Sequence, residues 1–395
     1  MNGGLDMKTI KVNLKLFTGM ICILALLFLF SPVLSAADQT TSPPETGEIV
    51  IGMTENLFSK ILNEWRTLEI YLPNGHDREK QRKYPLLVVL DGGDMFVYTV
   101  SFINMMSPYS FPKMVVIGIR STNRLRDLDV REGSNQDIKR FYRFLEEEFL
   151  PYVEKKYRTL PYRILAGHSL AGLFTAHTLF KHTGLFRVYI STSPSIRGGK
   201  GNAVLSRAID ALPADGLKGR YFYFSAGEEE PAELHQALHG IDKQLKTRGF
   251  LEFNWDYNIY DREGHVPIKG FYQGLRNAFD NWCPSLKIFM SGTVEDIKKH
   301  YSGLSDKYGF EVVPPYVVMA SIGHYHLEEK RTEEAIKIFE YCITLYPKGV
   351  NVHLSLTRAY IDDGQTARAK ETLKKVLALY PNNKRAKEWL KSLKY

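Results

Sequence analysis

The stretch "YRILAGHSLAGLFTAHTLF", residues 162–180, carries the clearest sign of the fold in this 395-residue chain. Its apolar start is typical of a buried strand, and from Leu170 onward the apolar residues recur at helical spacing. A serine at the sharp turn between such a strand and helix carries its hydroxyl clear of the sheet, while small residues at Gly167 and Ala171 let the two backbones approach. The G-x-S-x-G pattern that such serine turns usually follow has glycine at the position of Ala171. The stretch predicts a strand–turn–helix unit with Ser169 at its exposed tip.

Similar elements extend on both sides of this stretch. Strands are predicted over residues 47–53, 67–73, 85–91, 114–119, 162–167, 187–192, 221–226 and 253–260. Helices are predicted over residues 135–157, 170–183, 232–249 and 268–282. Strands that alternate with helices at this rate form a mostly parallel sheet covered on both faces, so we expect an α/β sandwich.

The last eighty residues carry an internal repeat. The stretches "EEAIKIFEYCITLYP" (residues 333–347) and "ARAKETLKKVLALYP" (residues 367–381) align, with Ala335 and Ala369 separated by 34 positions. A 34-residue period of paired helices, with small residues where the helices cross and proline at the end, is typical of tetratricopeptide repeats. The repeat predicts a small all-α module at the C-terminus, which can bind a protein partner.

The first residues resemble a targeting signal. Lysines precede the apolar run "LFTGMICILALLFLF" (residues 16–30), and small residues follow it. This order is typical of a secretory signal peptide with cleavage near Ala36 or Ala37. The alternative is an uncleaved membrane anchor, because the run approaches the shortest length that spans a bilayer. We expect cleavage and an exported protein, periplasmic or extracellular.

These patterns divide the chain into five segments. We expect a signal peptide over residues 1–37, a linker over 38–46, the α/β domain over 47–290, a helical connector over 291–314 and the repeats over 315–395.

Charge and cysteine content exclude two classes of protein. The formal net charge is +8, of which residues 315–395 supply +5, while residues 38–314 carry about +1. The α/β domain therefore lacks the clustered cations that nucleic-acid binding needs. One of the three cysteines, Cys22, lies in the predicted signal, so only Cys283 and Cys342 remain and no disulfide framework is expected.

A serine nucleophile needs a base and an acid, which in this type of sheet follow the serine in the order acid, then histidine. The sequence "GEEEP" comes directly after the predicted strand 221–226, and Glu230 is the favoured acid; Glu228 and Glu229 are the alternatives. His265 is the favoured base, because it lies in the loop between the last predicted strand and a helix.

Other histidines have less suitable positions. His177 and His182 lie on the helix that follows the serine, where packing or surface roles are expected. His235 and His239 have the spacing of the zinc-binding HExxH motif, but Gln236 replaces its glutamate and no third ligand is evident. We interpret this pair as a solvated helix face and expect neither a metal nor an organic cofactor.

Stabilising an oxyanion requires two backbone N–H groups. The residue after the serine, Leu170, supplies the first. The loop "LDGGDMF" (residues 90–96) follows an early strand and is the candidate for the second, with Gly93 favoured and Gly92 or Asp94 as alternatives. The competing interpretation of this loop is a plain turn.

Together these motifs resemble the putative-esterase family of α/β-hydrolases, which contains the enterobactin and bacillibactin esterases and esterase D. The resemblance covers roughly residues 47–283 and rests on "YPLLVVLDGGDMF", "VVIGIRSTNRLRDLDV", "FLEEEFLPYVEKKYRTLPYRILAGHSLAGLFTAHTLF", "YISTSPSI" and "GHVPIKGFYQGL". It implies an α/β-hydrolase sandwich with serine-ester chemistry, in which Ser169, Glu230 and His265 are nucleophile, acid and base. The segment that leads into the repeats is similar to the tail of family members with C-terminal tetratricopeptides.

One departure from the family bears on the substrate. Ile196 and Arg197 stand where many relatives have leucine or an aromatic residue followed by tryptophan. Losing an aromatic wall weakens the case for an aryl substrate. Arg124, Arg126 and Arg197 are candidates to bind an anionic group of the substrate. The alternative for each of them is an ion pair with a neighbouring loop aspartate.

The sequence therefore predicts an exported serine hydrolase of carboxylic esters that acts on a small molecule, of siderophore type or another small ester. Two alternatives remain open. One is acyl transfer to a sugar or lipid alcohol, and the other is a non-catalytic scaffold that binds partners through its repeats.

Overall fold

The computed structural model describes residues 50–77, 81–131, 138–196, 200–265 and 268–393. The predicted signal peptide, residues 1–37, and the linker, residues 38–46, lie outside the described residues. The chain divides into two compact units, one ending at Cys283 and the other beginning at Pro284, whereas the predicted boundary is residue 290.

The first unit is built on one eight-stranded sheet in the order β1-β2-β4-β3-β5-β6-β7-β8. Its strands are β1 (Met53–Ser59), β2 (Glu64–Tyr71), β3 (Tyr84–Leu90), β4 (Val115–Ile119), β5 (Thr159–His168), β6 (Val188–Thr192), β7 (Tyr221–Gly227) and β8 (Asn254–Tyr260). Strands β1 and β2 pair antiparallel, as do β2 and β4, and the remaining neighbours are parallel. The predicted α/β fold class is confirmed.

Helices cover both faces of this sheet. They are α1 (Asp94–Met106), α2 (Arg124–Leu128), α3 (Ile138–Arg143), which continues through a π-helical turn (Phe144–Phe149) into α4 (Leu150–Tyr157), α5 (Leu170–Lys181), α6 (Lys200–Asp210), α7 (Ala232–Arg248) and α8 (Ile268–Ala278). All seven residues of the central strand β3 are buried, as expected of a strand between two helical layers.

The structure differs from the sequence prediction at particular elements. The first strand begins at Met53, where the predicted strand 47–53 ends. Helix α1 was not predicted, because its sequence "DMFVYTVSFINMM" is mostly apolar and shows no polar face at helical spacing.

The second unit is entirely helical in its described part. Its helices are α9 (Leu286–Ser291), α10 (Val294–Tyr308), α11 (Tyr316–Glu328), α12 (Thr332–Leu345), α13 (Val350–Asp362), α14 (Thr366–Leu379) and α15 (Lys384–Ser392). The pair α11 and α12 recurs as α13 and α14 with every boundary displaced by the predicted 34 positions.

The packing of this unit explains its small residues. Gly323 of α11 lies against Phe339 of α12, so that an added Cβ would stand 2.5 Å from the aromatic ring. At the C-terminal end, α15 covers the last pair by burying Ala386 against Leu373 and Val376. The predicted tetratricopeptide module is confirmed. No helix in the described ranges combines the length and apolar character that crossing a membrane requires.

Candidate active site

Ser169 lies at the turn between β5 and α5, in a strained backbone conformation. Its φ of 58° and ψ of −117° fall in a region that non-glycine residues rarely occupy, at a cost of about 1–3 kcal/mol. The turn is held because the Ser169 N–H donates to Thr192 O at 3.0 Å and the Ser195 N–H donates to Ser169 O at 3.0 Å. Gly167 is required here, since an added Cβ would stand 2.3 Å from the carbonyl oxygen of Ala171.

The hydroxyl of Ser169 has a neighbour that the sequence did not indicate. Its Oγ lies 3.1 Å from Ser195 Oγ, within the loop after β6. Among the described contacts, the Ser169 hydroxyl thus pairs with Ser195 rather than with His265. A serine two positions after another serine has no distinctive local pattern, so only the fold brings Ser195 to this position.

Glu230 and His265 form a close pair at the ends of β7 and β8. His265 Nδ1 lies 2.6 Å from Glu230 Oε1. The second carboxylate oxygen of Glu230 accepts hydrogen bonds from Ser193 Oγ at 2.6 Å and from the Gly227 N–H at 3.0 Å. The Glu230 side chain is 2% exposed, whereas Glu228 and Glu229 are exposed. Of the three candidate acids, Glu230 is the one in contact with the candidate base.

The surroundings of Glu230 favour its ionised form. Burial by itself raises the pKa of this carboxyl, but the hydrogen bonds from His265, Ser193 and the Gly227 N–H outweigh it and leave the pKa below its usual range. An ionised Glu230 holds the proton on Nδ1 of the imidazole and leaves Nε2 as the acceptor. This is the tautomer that a general base requires.

A second histidine ring connects this pair to the serine turn. The His168 and His265 rings lie 4.4 Å apart between centroids, and His168 directly precedes Ser169 in the chain. Burial, together with the nearby His265 and Arg124, lowers the pKa of His168 to about 4. His168 is therefore neutral at physiological pH and places no charge beside the base.

The structure corrects the predicted second oxyanion donor. The Gly93 N–H donates to Glu69 Oε2 at 2.6 Å, and the Gly92 N–H donates to Ile119 O at 3.1 Å. Both N–H groups are therefore occupied by hydrogen bonds within the protein. Among the described residues, the N–H groups of Asp94 and Leu170, each the first residue of a helix, donate to no protein acceptor. Asp94 is therefore the remaining candidate of the three.

Two family models match the chain, one in each unit. Residues 59–229 match the family described as "Putative esterase", and residues 326–392 match the tetratricopeptide repeat. The first unit is an esterase, and it is similar to the putative-esterase family over residues 59–229.

One curated relative and two solved structures illustrate this similarity. The ferri-bacillibactin esterase of Bacillus subtilis is 26% identical over 272 residues, which cover 58% of this chain and 91% of the relative. An IroE-like serine hydrolase from Shewanella oneidensis has a similar structure, with a TM-score of 0.62 and 22% identity over 75% of this chain and 99% of that one. An uncharacterised protein from Capnocytophaga ochracea, at a TM-score of 0.58 and 18% identity, covers 87% of this chain and 99% of its own. At these identities the two solved structures show that their fold is shared with this chain.

The arginines of the esterase proposed to bind substrate differ in their surroundings. Arg124 donates from Nε to Asp91 Oδ2 at 2.6 Å, its guanidinium lies 3.5 Å from His168 O, and its side chain is 42% exposed at the serine turn. Arg126 instead forms hydrogen bonds with both carboxylate oxygens of Glu64, which makes it a structural ion pair. Arg197 lies outside the described residues.

The other histidines of the esterase have structural contacts. His177 Nδ1 pairs with Tyr142 OH at 2.8 Å, and the His182 ring stacks on Tyr142. The interpretation of His235 as part of a solvated face is wrong, because its Nε2 lies 2.8 Å from Gly227 O and joins α7 to the end of β7. His239 is exposed. Within the described ranges, no group of three acidic, histidine or cysteine side chains is arranged to hold a metal.

Proposed function

We propose that this esterase is an exported serine hydrolase of carboxylic esters with Ser169 as nucleophile, His265 as base and Glu230 as the acid that orients it. The observation that carries the proposal is the 2.6 Å contact between Glu230 and His265, made next to the strained turn that presents Ser169. Burial of Glu230 and the lowered pKa of its carboxyl further support these roles.

The reaction proceeds in two steps, acylation of Ser169 and hydrolysis of the acyl-serine. Ser169 Oγ attacks the ester carbonyl carbon while its proton passes to His265 Nε2, and the bond to the leaving alcohol breaks as His265 returns that proton to it. Water then attacks the acyl-serine, again giving its proton to His265, and the proton returns to Ser169 as the carboxylic acid leaves. The sum is one ester and one water converted to one acid and one alcohol.

The tetrahedral intermediate of each step places negative charge on the former carbonyl oxygen. The Leu170 N–H lies directly after the nucleophile at the N-terminus of α5, where helix dipoles also favour an anion. The loop after β3 supplies the second donor, and Asp94 N–H is the candidate there. Each such donor is worth about 10²–10³ in kcat.

The proposed substrate is a small ester with an anionic part, of siderophore type or another small ester. Arg124 supports an anionic ligand, since its side chain is 42% exposed beside the serine turn. The relative from Bacillus subtilis is named a ferri-bacillibactin esterase, which supports the siderophore class. The predicted signal peptide supports export, and the tetratricopeptide module supports binding of a protein partner.

Hydrolysis of short p-nitrophenyl esters tests this function. Ser169→Ala and His265→Ala should each lower kcat by several orders of magnitude, on the order of 10⁴ or more. Exposed residues of the same types provide the controls, so Ser101→Ala and His239→Ala should hydrolyse at the wild-type rate.

A ferric triscatecholate ester in a parallel assay tests the substrate class. Faster turnover of that ester than of the p-nitrophenyl esters would support the siderophore class. Equal rates for wild type, Ser169→Ala and His265→Ala with every ester would refute the proposed function.

A further inference from the structure

A buried carboxylate outside the proposed triad touches the loop that carries the second oxyanion donor. Glu69 lies on β2 and is 5% exposed. Its Oε2 accepts the Gly93 N–H at 2.6 Å, and its Oε1 accepts from Arg120 Nε at 2.8 Å. A carboxylate so deeply buried would be costly without these two partners.

The backbone around Glu69 leaves a space for this carboxylate. In the pairing of β2 with β4, Glu69 stands opposite Gly118. An added Cβ on Gly118 would lie 2.9 Å from Glu69 Oε2, and one on Gly92 would lie 2.5 Å from the same atom. The side chain therefore passes over β4 where that strand has no side chain and reaches the turn at the end of β3. Glycine at both positions leaves the space that this contact occupies.

The turn that Glu69 holds has the same backbone conformation as the nucleophile turn. Gly93 has φ 60° and ψ −125°, while Ser169 has φ 58° and ψ −117°. The two turns follow β3 and β5, which are parallel neighbours, and each leads directly into a helix. The N–H after Ser169 belongs to Leu170, and the N–H in the equivalent position after Gly93 belongs to Asp94.

We propose that Glu69 is a positioning residue of the esterase: by accepting the Gly93 N–H it holds this turn so that the Asp94 N–H and the Leu170 N–H face the same oxyanion. The inference rests on the proposed function. A glycine turn free of this hydrogen bond samples other conformations, because glycine has access to φ of either sign. Glu69 fixes the conformation of the Gly93 turn before the substrate binds. A donor that is already in place, here the Asp94 N–H, lowers the activation barrier because no reorganisation is needed during the reaction.

A purely structural ion pair with Arg120 is the competing explanation. It predicts that loss of Glu69 lowers stability and leaves the folded enzyme fully active. The positioning role predicts weaker stabilisation of the transition state. The resulting fall in kcat remains after the measured rate is corrected for the fraction of enzyme that is folded. The positioning role also predicts that glutamine, whose side-chain oxygen still accepts the Gly93 N–H, restores activity. The Arg120 side chain is 56% exposed and can turn toward solvent in that variant.

The experiment compares the wild type with Glu69→Ala and Glu69→Gln, using steady-state kinetics and inhibition by a trifluoromethyl ketone analogue of the ester. Active enzyme is counted by titration with a covalent phosphonate. We expect Glu69→Ala to lower kcat by about 10²-fold with KM changed less than about threefold, and to weaken ketone binding by a similar factor. Glu69→Gln should recover most of both.

Glu64→Gln is the matched control, because Glu64 lies on the same strand and pairs with Arg66 and Arg126 instead of a backbone N–H of the loop. It should lower stability without changing kcat or ketone affinity per active site. Wild-type kcat and ketone affinity in Glu69→Ala, or equal damage in Glu69→Gln, would overturn the inference. Activity retained by Ser169→Ala would instead refute the proposed function, so the two failures are distinguishable.

Discussion

Ser193 and Glu230 are joined by a hydrogen bond of 2.6 Å, in which the serine hydroxyl donates to the carboxylate oxygen that faces away from His265. Ser193 is buried in the loop after β6, and its φ of 45° lies in the left-handed region. The loop that carries Ser195 toward the nucleophile thus also anchors the acid. One segment supports both halves of the proposed triad.

The first prediction concerns the pH dependence of activity in Ser193→Ala. The pKa of Glu230 is held below its usual range partly by this hydroxyl, so its loss should raise that pKa. As the pH falls through the pKa of Glu230, its carboxylate becomes protonated and no longer orients His265. Because this pKa is higher in the variant, the variant should lose activity at a higher pH than the wild type. The kcat/KM profile from pH 4 to pH 9 measures this shift. Superimposable acid limbs would contradict the prediction.

The second prediction concerns the stability of the nucleophile turn. Gly167→Ala places a Cβ 2.3 Å from the Ala171 carbonyl oxygen, which is backbone and cannot move aside. We expect a loss of about 3 kcal/mol or more in the free energy of unfolding, measured by urea denaturation. Gly240→Ala is the control, because Gly240 lies within α7 with open space around it. That variant should be stabilised by about 0.5–1 kcal/mol.

The third prediction concerns discrimination between esters by Arg124. Arg124→Ala should lower kcat/KM for an ester with an anionic acyl group by about tenfold, while a neutral acetyl ester changes little. The reason is that its guanidinium lies at the serine turn and its side chain is 42% exposed. Arg143→Ala, at an exposed site on α3, is the control. Equal losses for the anionic and neutral esters would show that Arg124 acts on the fold instead of on the substrate.

The fourth prediction concerns the cap of the repeat module. Ala386→Glu would bury a charge in the cluster where α15 meets Leu373 and Val376. We expect the thermal transition of this unit to fall by several degrees, because an unpaired buried carboxylate is costly. Lys387→Glu, at an exposed neighbouring position, should leave the transition near the wild-type value. The measurement is circular dichroism of the full chain during heating.

Elements whose pattern is local were predictable from sequence. The strand–turn–helix unit at Ser169 follows from an apolar run, small residues and helical spacing within twenty positions, and the repeats follow from one period of 34. Helix α1 was not predicted because a mostly apolar helix shows little periodic contrast between an apolar and a polar face. The choice among Glu228, Glu229 and Glu230 also needed the structure, because burial and the contact with His265 distinguish them.

Contacts between positions far apart in the chain could not be predicted from the sequence and are seen only in the three-dimensional structure. Glu69 reaches Gly93 across the strand between them, β4, which has glycine at the point of crossing. That contact removed the Gly93 N–H from the oxyanion donors, although the sequence "DGGD" favoured Gly93 over Gly92 and Asp94. Local sequence sets which conformations each segment favours, since propensity and periodicity act over a few residues. Which polar groups are consumed by the fold and which stay open for chemistry depends on packing between segments far apart in the chain.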